Sequence, residues 1–158
     1  MSLSHPLLLP AVLALAAATA QAQPEAAAPA ASARAGTFKQ VQGQAWVGRA
    51  EPRRAAQPGD GLAETDRLST GTDGSATIVL KDGTALTVGP NSTVDLSRFQ
   101  FDSTTQQGHL LLDLLRGSVR VVTGLLARIN PERFQVQTPT SVVGVRGTDF
   151  IVETEAAR

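Results

Sequence analysis

A run of alternating residues that ends in a tight turn constrains the fold most strongly. Within residues 75–80, the apolar side chains at positions 76, 78 and 80 fall on one face of an extended chain, as in a half-buried strand. Asp82 and Gly83 then supply the turn chemistry of a short β-hairpin, and residues 85–88 form a β-prone return. This segment therefore predicts antiparallel β structure.

Similar short β-prone runs, separated by glycine, proline and aspartate, recur along the sequence, whereas helix-period patterns are rare. The predicted strands are 37–47, 75–80, 85–88, 93–96, 110–115, 119–122, 134–138 and 142–154, and the predicted loops are 51–61 and 124–131. Arg116-Gly117-Ser118 predicts a tight turn or a bulge between two strands. The predicted fold class is all-β, with short strands in a β-roll or β-solenoid-like arrangement or in a sandwich.

The N-terminal residues have the composition of an export segment. Residues 7–18 are apolar apart from Pro10, and Ala20-Gln21-Ala22 suits signal peptidase, so residues 1–22 are predicted to be a signal peptide cleaved near Ala22. The run is short for a transmembrane helix, so we expect no stable transmembrane anchor, although the lack of Lys and Arg before it keeps an uncleaved anchor open. Residues 23–35 predict a disordered Ala/Pro-rich tether, and residues 36–155 the folded domain, in the periplasm or secreted.

Charge and composition exclude several function classes. Fourteen basic and fourteen acidic side chains give no net field that would attract nucleic acid, so we expect no nucleic-acid partner. Aromatic residues make up only 4% of the chain, which provides few surfaces for base stacking. The absence of cysteine excludes disulfides, thiolate metal sites and thiol catalysis.

The candidate catalytic residues are few. His109 is the sole histidine after the predicted signal peptide, and no nearby spacing supplies the partners of a triad or a metal site. Asp73 and Asp82 precede glycine in turns, where aspartate bonds its own backbone, and with Asp149 they lack the spacing of a calcium loop. We therefore expect no catalytic residue, no metal and no cofactor, so the protein is not expected to be an enzyme. A small hydrolase would need a pair of carboxylates in a cleft.

Arg146 is the most unusual residue, because it lies between Gly144 and Gly147 in the otherwise β-prone segment 138–152. Glycines allow backbones to crowd around the guanidinium, and a buried arginine needs a carboxylate or carbonyl partner. This pattern favours a structural arginine that joins the last strand to the sheet. The other interpretation is that Arg146 binds a partner carboxylate or an acidic glycan.

The motifs occur in a characteristic order over about residues 36–152. They are Gly43, Gly59-Asp60, Leu68-Ser69-Thr70-Gly71, Gly74-Ser75-Ala76, Asp82-Gly83-Thr84, Gly89-Pro90-Asn91-Ser92, Leu114-Leu115-Arg116-Gly117-Ser118-Val119, Thr138-Pro139 and Val145-Arg146-Gly147-Thr148-Asp149-Phe150. This order resembles that of the FecR domain family. The signature residues that the resemblance implies are Gly59, Asp60, Asp82, Gly83, Gly117, Val145, Arg146, Gly147, Thr148 and Phe150.

The resemblance also implies a function. Relatives of the founding ferric-citrate regulator of Gram-negative bacteria span the inner membrane, with a cytoplasmic segment that controls a sigma factor and a periplasmic part that senses an outer-membrane transporter. Residues 1–6 leave no room for that cytoplasmic segment before the apolar run. We therefore expect an exported binding or scaffolding module of the cell envelope, whose partner is an envelope protein, a polysaccharide or peptidoglycan. The alternative is a periplasmic signal-transduction component that acts with a membrane sigma-factor regulator or an outer-membrane transporter.

Substituting Arg146→Met discriminates between the two interpretations of this residue. We expect Arg146→Met to lower the thermal midpoint measured by circular dichroism, because the partner of the guanidinium is left without its hydrogen bonds. Intact folding together with lost binding of an envelope partner would contradict the structural interpretation.

Overall fold

Twelve strands and two short helices make up the part of the chain that the computed structural model describes, residues 34–145 and 148–155. The strands are β1 (Arg34–Gln42), β2 (Ala45–Val47), β3 (Arg54–Ala55), β4 (Gly61–Ala63), β5 (Arg67–Thr70), β6 (Ser75–Leu80), β7 (Ala85–Val88), β8 (Thr93–Phe101), β9 (Gly108–Val122), β10 (Phe134–Thr138), β11 (Ser141–Gly144) and β12 (Asp149–Thr154). An α-helix, α1 (Leu125–Ile129), and a 3-10 helix (Pro131–Arg133) connect β9 to β10. The predicted signal peptide, 1–22, lies outside the described residues.

All twelve strands belong to one curled sheet with the form of a half-barrel, so the all-β prediction is confirmed. The strand order is β3-β2-β5-β8-β9-β7-β6-β1-β4; in addition, β10 and β12 pair with β9, and β11 pairs with β10. The pairing is antiparallel except between β9 and β10. The predicted hairpin is present, since β6 and β7 pair across Asp82-Gly83 with Val79 opposite Ala85.

β9 holds the curled sheet together, because its two halves pair with different strands. The first half pairs with β8 and β10, and the second half pairs with β7 and β12. The buried residues of the first half are the even-numbered leucines of 110–114, whereas Val119 and Val121 are buried in the second half. The inward face therefore changes parity between Leu114 and Val119. The extra residue of β9 relative to β8 is Leu115, and Gly117, whose φ is 87°, follows it closely. Of the two sequence predictions for residues 116–118, the bulge is therefore confirmed and the tight turn between two strands is wrong, since residues 108–122 form one strand.

A cluster of buried hydroxyl groups lies against this bulge. The Ser92 hydroxyl donates to the carbonyl of Pro90 (2.9 Å) and accepts the N–H of Ser118 (2.9 Å). The Thr70 hydroxyl donates to the carbonyl of Gly89 (2.7 Å) and accepts the N–H of Ser92 (3.0 Å). These bonds join the ends of β5 and β7 to β9 and satisfy polar groups that would otherwise be costly to bury.

The core is aliphatic, as the composition requires, and surrounds two fully buried rings, Phe38 and Phe134. The predicted inward face of β6 is confirmed, because Ala76, Ile78 and Leu80 are all buried. None of the helices within the described residues is long and apolar enough to cross a membrane.

The segment predicted as a loop at 124–131 contains α1 instead. Gly124 permits a close approach to the β6–β7 turn, since a Cβ there would lie 2.3 Å from the carbonyl oxygen of Asp82. The main-chain N–H of Leu125 donates to that same carbonyl (2.9 Å), and Leu126 is completely buried. Tertiary packing therefore selects a helical turn that the short sequence pattern does not predict.

The predicted last strand, 142–154, is two strands in the structure. β11 pairs with β10 and β12 pairs with β9, so the chain passes from one half of the sheet to the other between them. Val145 follows β11 directly, and its side chain is buried in the core.

Several other strands also differ from the sequence prediction. β1 begins at Arg34, so Arg34 and Ala35 belong to the domain rather than to the tether, and the predicted strand 37–47 is divided between β1 and β2. β8 extends to Phe101, and β3, β4 and β5 were not predicted as strands. These strands depend on pairing with their neighbours, which outweighs local propensity.

We expect Gly117→Ala to destabilise the fold more than Gly83→Ala, although both glycines have φ near 85° (87° and 84°). A Cβ at Gly117 would lie 2.6 Å from the Cα of Ser92, whereas a Cβ at Gly83 has no neighbour within 4 Å. The positive φ alone costs on the order of 1 kcal/mol, and the backbone clash should bring the loss at Gly117 to about 3 kcal/mol. Chemical denaturation of both variants measures the difference, and equal losses would contradict a close approach at the bulge.

Candidate functional site

The first pair of signature residues lies in the turn before β4. The N–H of Gly59 donates to the carbonyl of Phe38 (2.8 Å), and the N–H of Phe38 donates to the carbonyl of Asp60 (2.9 Å). The Asp60 carboxylate binds the guanidinium of Arg54 at 2.7 Å. These contacts connect the turn to β1, so both residues have structural roles here.

The second pair forms a buried connection under the β6–β7 turn. The Asp82 carboxylate accepts the N–H (3.0 Å) and the hydroxyl (2.7 Å) of Thr84, and Asp82 is only 2% exposed. The Thr84 hydroxyl in turn accepts the N–H of Gly124 at 3.0 Å. Gly83 provides the positive φ of the turn. Asp82 therefore joins the hairpin to the start of α1, and its burial leaves no room for a substrate.

The remaining signature residues lie around β9 and the end of the chain. Gly117 lies beside the bulge of β9, Val145 is buried, Phe150 packs half-buried against the core, and Thr148 is exposed, with its carbonyl accepting the N–H of Thr123 (2.9 Å). Arg146 and Gly147 lie outside the described residues. The described signature residues therefore do not converge on one site, but Val145 follows β11, Thr148 precedes β12 and Phe150 lies in β12.

The titratable candidates are dispersed. Asp73 lies in the turn before β6, and His109 lies in β9 opposite Gln100. Across residues 34–145 and 148–155, no three histidine, aspartate or glutamate side chains come close enough to hold a metal ion. Asp95 and Asp113 lie opposite each other on β8 and β9, where Asp95 accepts hydrogen bonds from Arg67 and Asp113 accepts the hydroxyl of Ser97.

β12 has one edge that no other described strand covers. It pairs with β9 alone, with Ile151 opposite Arg120, and it is six residues long. Because the Thr148 carbonyl bonds the N–H of Thr123, alternate residues from Thr148 onward bond to β9. The N–H and C=O groups of Asp149, Ile151 and Glu153 therefore point away from the sheet.

Apolar side chains accompany this open edge. Ile151 is 62% exposed, and Val142 on the neighbouring edge strand β11 is 64% exposed. A groove of about 450 Å³ lies between the two strands and is lined largely by Val143, Phe150 and Val152. Sequence reasoning missed Ile151, although the pattern of the strand could have revealed it. In an extended chain, alternate residues share a face, so the apolar Ile151 lies on the same face as the charged Asp149 and Glu153.

An ion pair fixes the start of β12 on the outer face. The Nε and Nη2 atoms of Arg120 lie 2.9 and 2.5 Å from the two carboxylate oxygens of Asp149. These hydrogen bonds from Arg120 lower the pKa of Asp149 and raise the pKa of Arg120. Asp149 is thus already neutralised, which leaves Glu153 as the unpaired acid of the strand within the described part of the chain.

The ion pair predicts a pH dependence. Since the folded pKa of Asp149 is lowered, its contribution to stability is complete above the unfolded-state pKa, about 3.9, and is lost as pH falls through the folded value. We expect Arg120→Gln to return the pKa of Asp149 to its usual range in a carboxyl-detected NMR titration. The matched variant Arg54→Gln, which breaks the exposed pair with Asp60, should leave it unchanged; equal effects would contradict the assignment.

Comparison with known proteins identifies the chain's relatives. A model of the FecR protein family matches residues 66–158, from just before β5 onward, whereas the motifs at Gly43 and Gly59-Asp60 precede the match. Searches of curated proteins and of solved structures returned no match. The matched family is one of envelope modules connected with signal transduction. Because the match covers more than half of the 158 residues, the chain belongs to the FecR protein family.

Proposed function

We propose that the chain is an exported, non-catalytic binding module of the bacterial cell envelope, and that it binds an extended segment of an envelope protein along the open edge of β12. The observation that carries the proposal is the row of outward main-chain groups at Asp149, Ile151 and Glu153. An unpaired row of this kind is a template for an added strand, which is a recurring mode of peptide recognition.

The length of β12 distinguishes it from the other edges. β3 and β4 are two and three residues long, and β11 is four residues long. Natural sheets make edges unreactive with very short strands, charged side chains (lysine above all) or proline. β12 has six residues and neither lysine nor proline, and one of its two acids, Asp149, is paired with Arg120. This weak protection supports a partner at this edge.

The side chains around the edge favour a partner with apolar residues. Ile151 exposes most of its side chain, and the groove beside it offers Val143 and Phe150 to alternate side chains of an incoming strand. The Arg120–Asp149 pair holds the strand on β9, so the template is ordered before the partner arrives. Preorganisation of this kind reduces the entropy cost of binding.

Family membership favours one specific version of this function. In that version the bound segment belongs to a sigma-factor regulator in the membrane or to an outer-membrane transporter, and the domain is the periplasmic component of a signalling system. The same edge could serve a signalling role or a scaffolding role, so the identity of the bound protein distinguishes these two functions.

Substitution at Ile151 tests the proposal. We expect Ile151→Pro to weaken partner binding at least about tenfold, because it removes an outward N–H and leaves the bonds to β9 intact. Ile151→Thr keeps that N–H and should bind with a smaller loss. Val152→Pro serves as the control for folding, since its inward N–H bonds β9 and its loss should lower the thermal midpoint.

The binding measurement uses a photoactivatable residue at Glu153 in the envelope of intact cells, followed by mass spectrometry of the cross-linked product. We expect a protein adduct that Ile151→Pro abolishes and Ile151→Thr retains. An adduct unaffected by Ile151→Pro, or one with polysaccharide or peptidoglycan alone, would contradict binding of a protein strand at this edge.

A further inference from the structure

Two arginines and one histidine from adjacent elements line one groove at the far end of β9. Arg98 comes from β8, His109 from β9, and Arg133 from the 3-10 helix just before β10. Their neighbours Phe99, Leu110 and Phe134 are buried, so the core lies on the opposite side of the sheet. The groove has a volume of about 560 Å³.

These three side chains have no acidic partner within the described residues. Five other arginines do, namely Arg49, Arg53, Arg54, Arg67 and Arg120, each paired with an aspartate or a glutamate. In the described part of the chain, neither Arg98, Arg133 nor His109 forms an ion pair, although they share one groove. A concentration of unpaired positive charge in a concave surface attracts anions.

The nearby carboxylates are already engaged. The Asp102 carboxylate accepts the N–H groups of Thr105 (3.1 Å) and Thr104 (2.8 Å), which lower its pKa. The Asp113 carboxylate, four residues after His109 on β9, accepts the hydroxyl of Ser97. Asp102 lines the groove as a charged group, but its hydrogen bonds direct it toward its own turn, so the two arginines keep their donors for a ligand.

The other groups in the groove indicate the class of ligand. Gln100 and Gln107 contribute amides that both donate and accept, which suits hydroxyl groups, and Phe101 contributes part of an aromatic ring. Arginine binds carboxylate and phosphate oxygens through paired N–H donors. The volume lies in the range of sites for small ligands.

We propose that this basic groove binds an anionic saccharide, with Arg98 and Arg133 on the carboxylate or phosphate and the amides on the hydroxyls. A nucleic acid is disfavoured, because the chain carries no net charge and the groove offers only one phenyl ring, Phe101, and the imidazole of His109 for stacking. The groove lies at residues 108–109 of β9, whereas β12 pairs with residues 117–122, so both surfaces can be occupied together.

NMR titration of the full chain with trigalacturonate tests this site. We expect saturable shifts in the amides of residues 98–109, about tenfold weaker binding in the double variant Arg98→Gln/Arg133→Gln, and unchanged binding in Arg116→Gln. Arg116 is a matched control, since it is exposed and has no ion pair within the described residues. All three arginines are exposed, so these variants should retain the wild-type thermal midpoint.

Three further ligands separate the sources of binding. Uncharged maltotriose should not bind, and inorganic phosphate should bind more weakly than trigalacturonate and compete with it. Equal binding of trigalacturonate to the double variant, phosphate binding as tightly as the saccharide, or tighter binding of oligothymidylate would overturn the proposal. The result is independent of the β12 edge, because Ile151→Pro should leave saccharide binding unchanged.

Discussion

The bulge of β9 beside Gly117 is the constraint on which the rest of the domain depends. The fifteen residues of β9 bury even-numbered side chains in the first half and odd-numbered side chains in the second half, and the extra residue at the bulge allows this change. Gly117 follows the bulge at positive φ, and its missing side chain lets Ser92 approach to bond Ser118. β9 therefore pairs with four strands and sets the positions of β12 and of the basic groove at its opposite ends.

The signature residues in the described part of the chain hold the sheet together. Asp82 is buried under its hairpin, the turn at Gly59 bonds β1, and Gly117 lies beside the bulge. They lie at positions where strands change direction and where buried backbone groups need partners. The surfaces proposed for binding lie outside this framework, on an open strand edge and on the outer face, where sequence can vary without loss of the fold.

Local patterns in the sequence predicted the fold class and the β6–β7 hairpin, because alternation and an Asp-Gly turn act over a few residues. The division of residues 142–154 into two strands was not predictable from local patterns. It depends on tertiary pairing, because the first part of this valine-rich run pairs with β10 and the last part pairs with β9. The helix at 125–129 likewise depends on contacts with Asp82, more than forty residues away. The groove of Arg98, His109 and Arg133 combines three elements whose register the sequence alone does not reveal. The apolar Ile151 on a charged face, in contrast, could have been recognised from the sequence.

Residue-resolved amide hydrogen exchange of the free chain tests the central claim, that β12 presents an unoccupied edge, most directly. The account predicts slow exchange at Phe150 and Val152, whose N–H groups bond β9, and fast exchange at Ile151 and Glu153, with protection of these two amides only when an envelope partner is bound. Slow exchange at Ile151 and Glu153 in the free chain would show that the edge is already covered and would contradict the account.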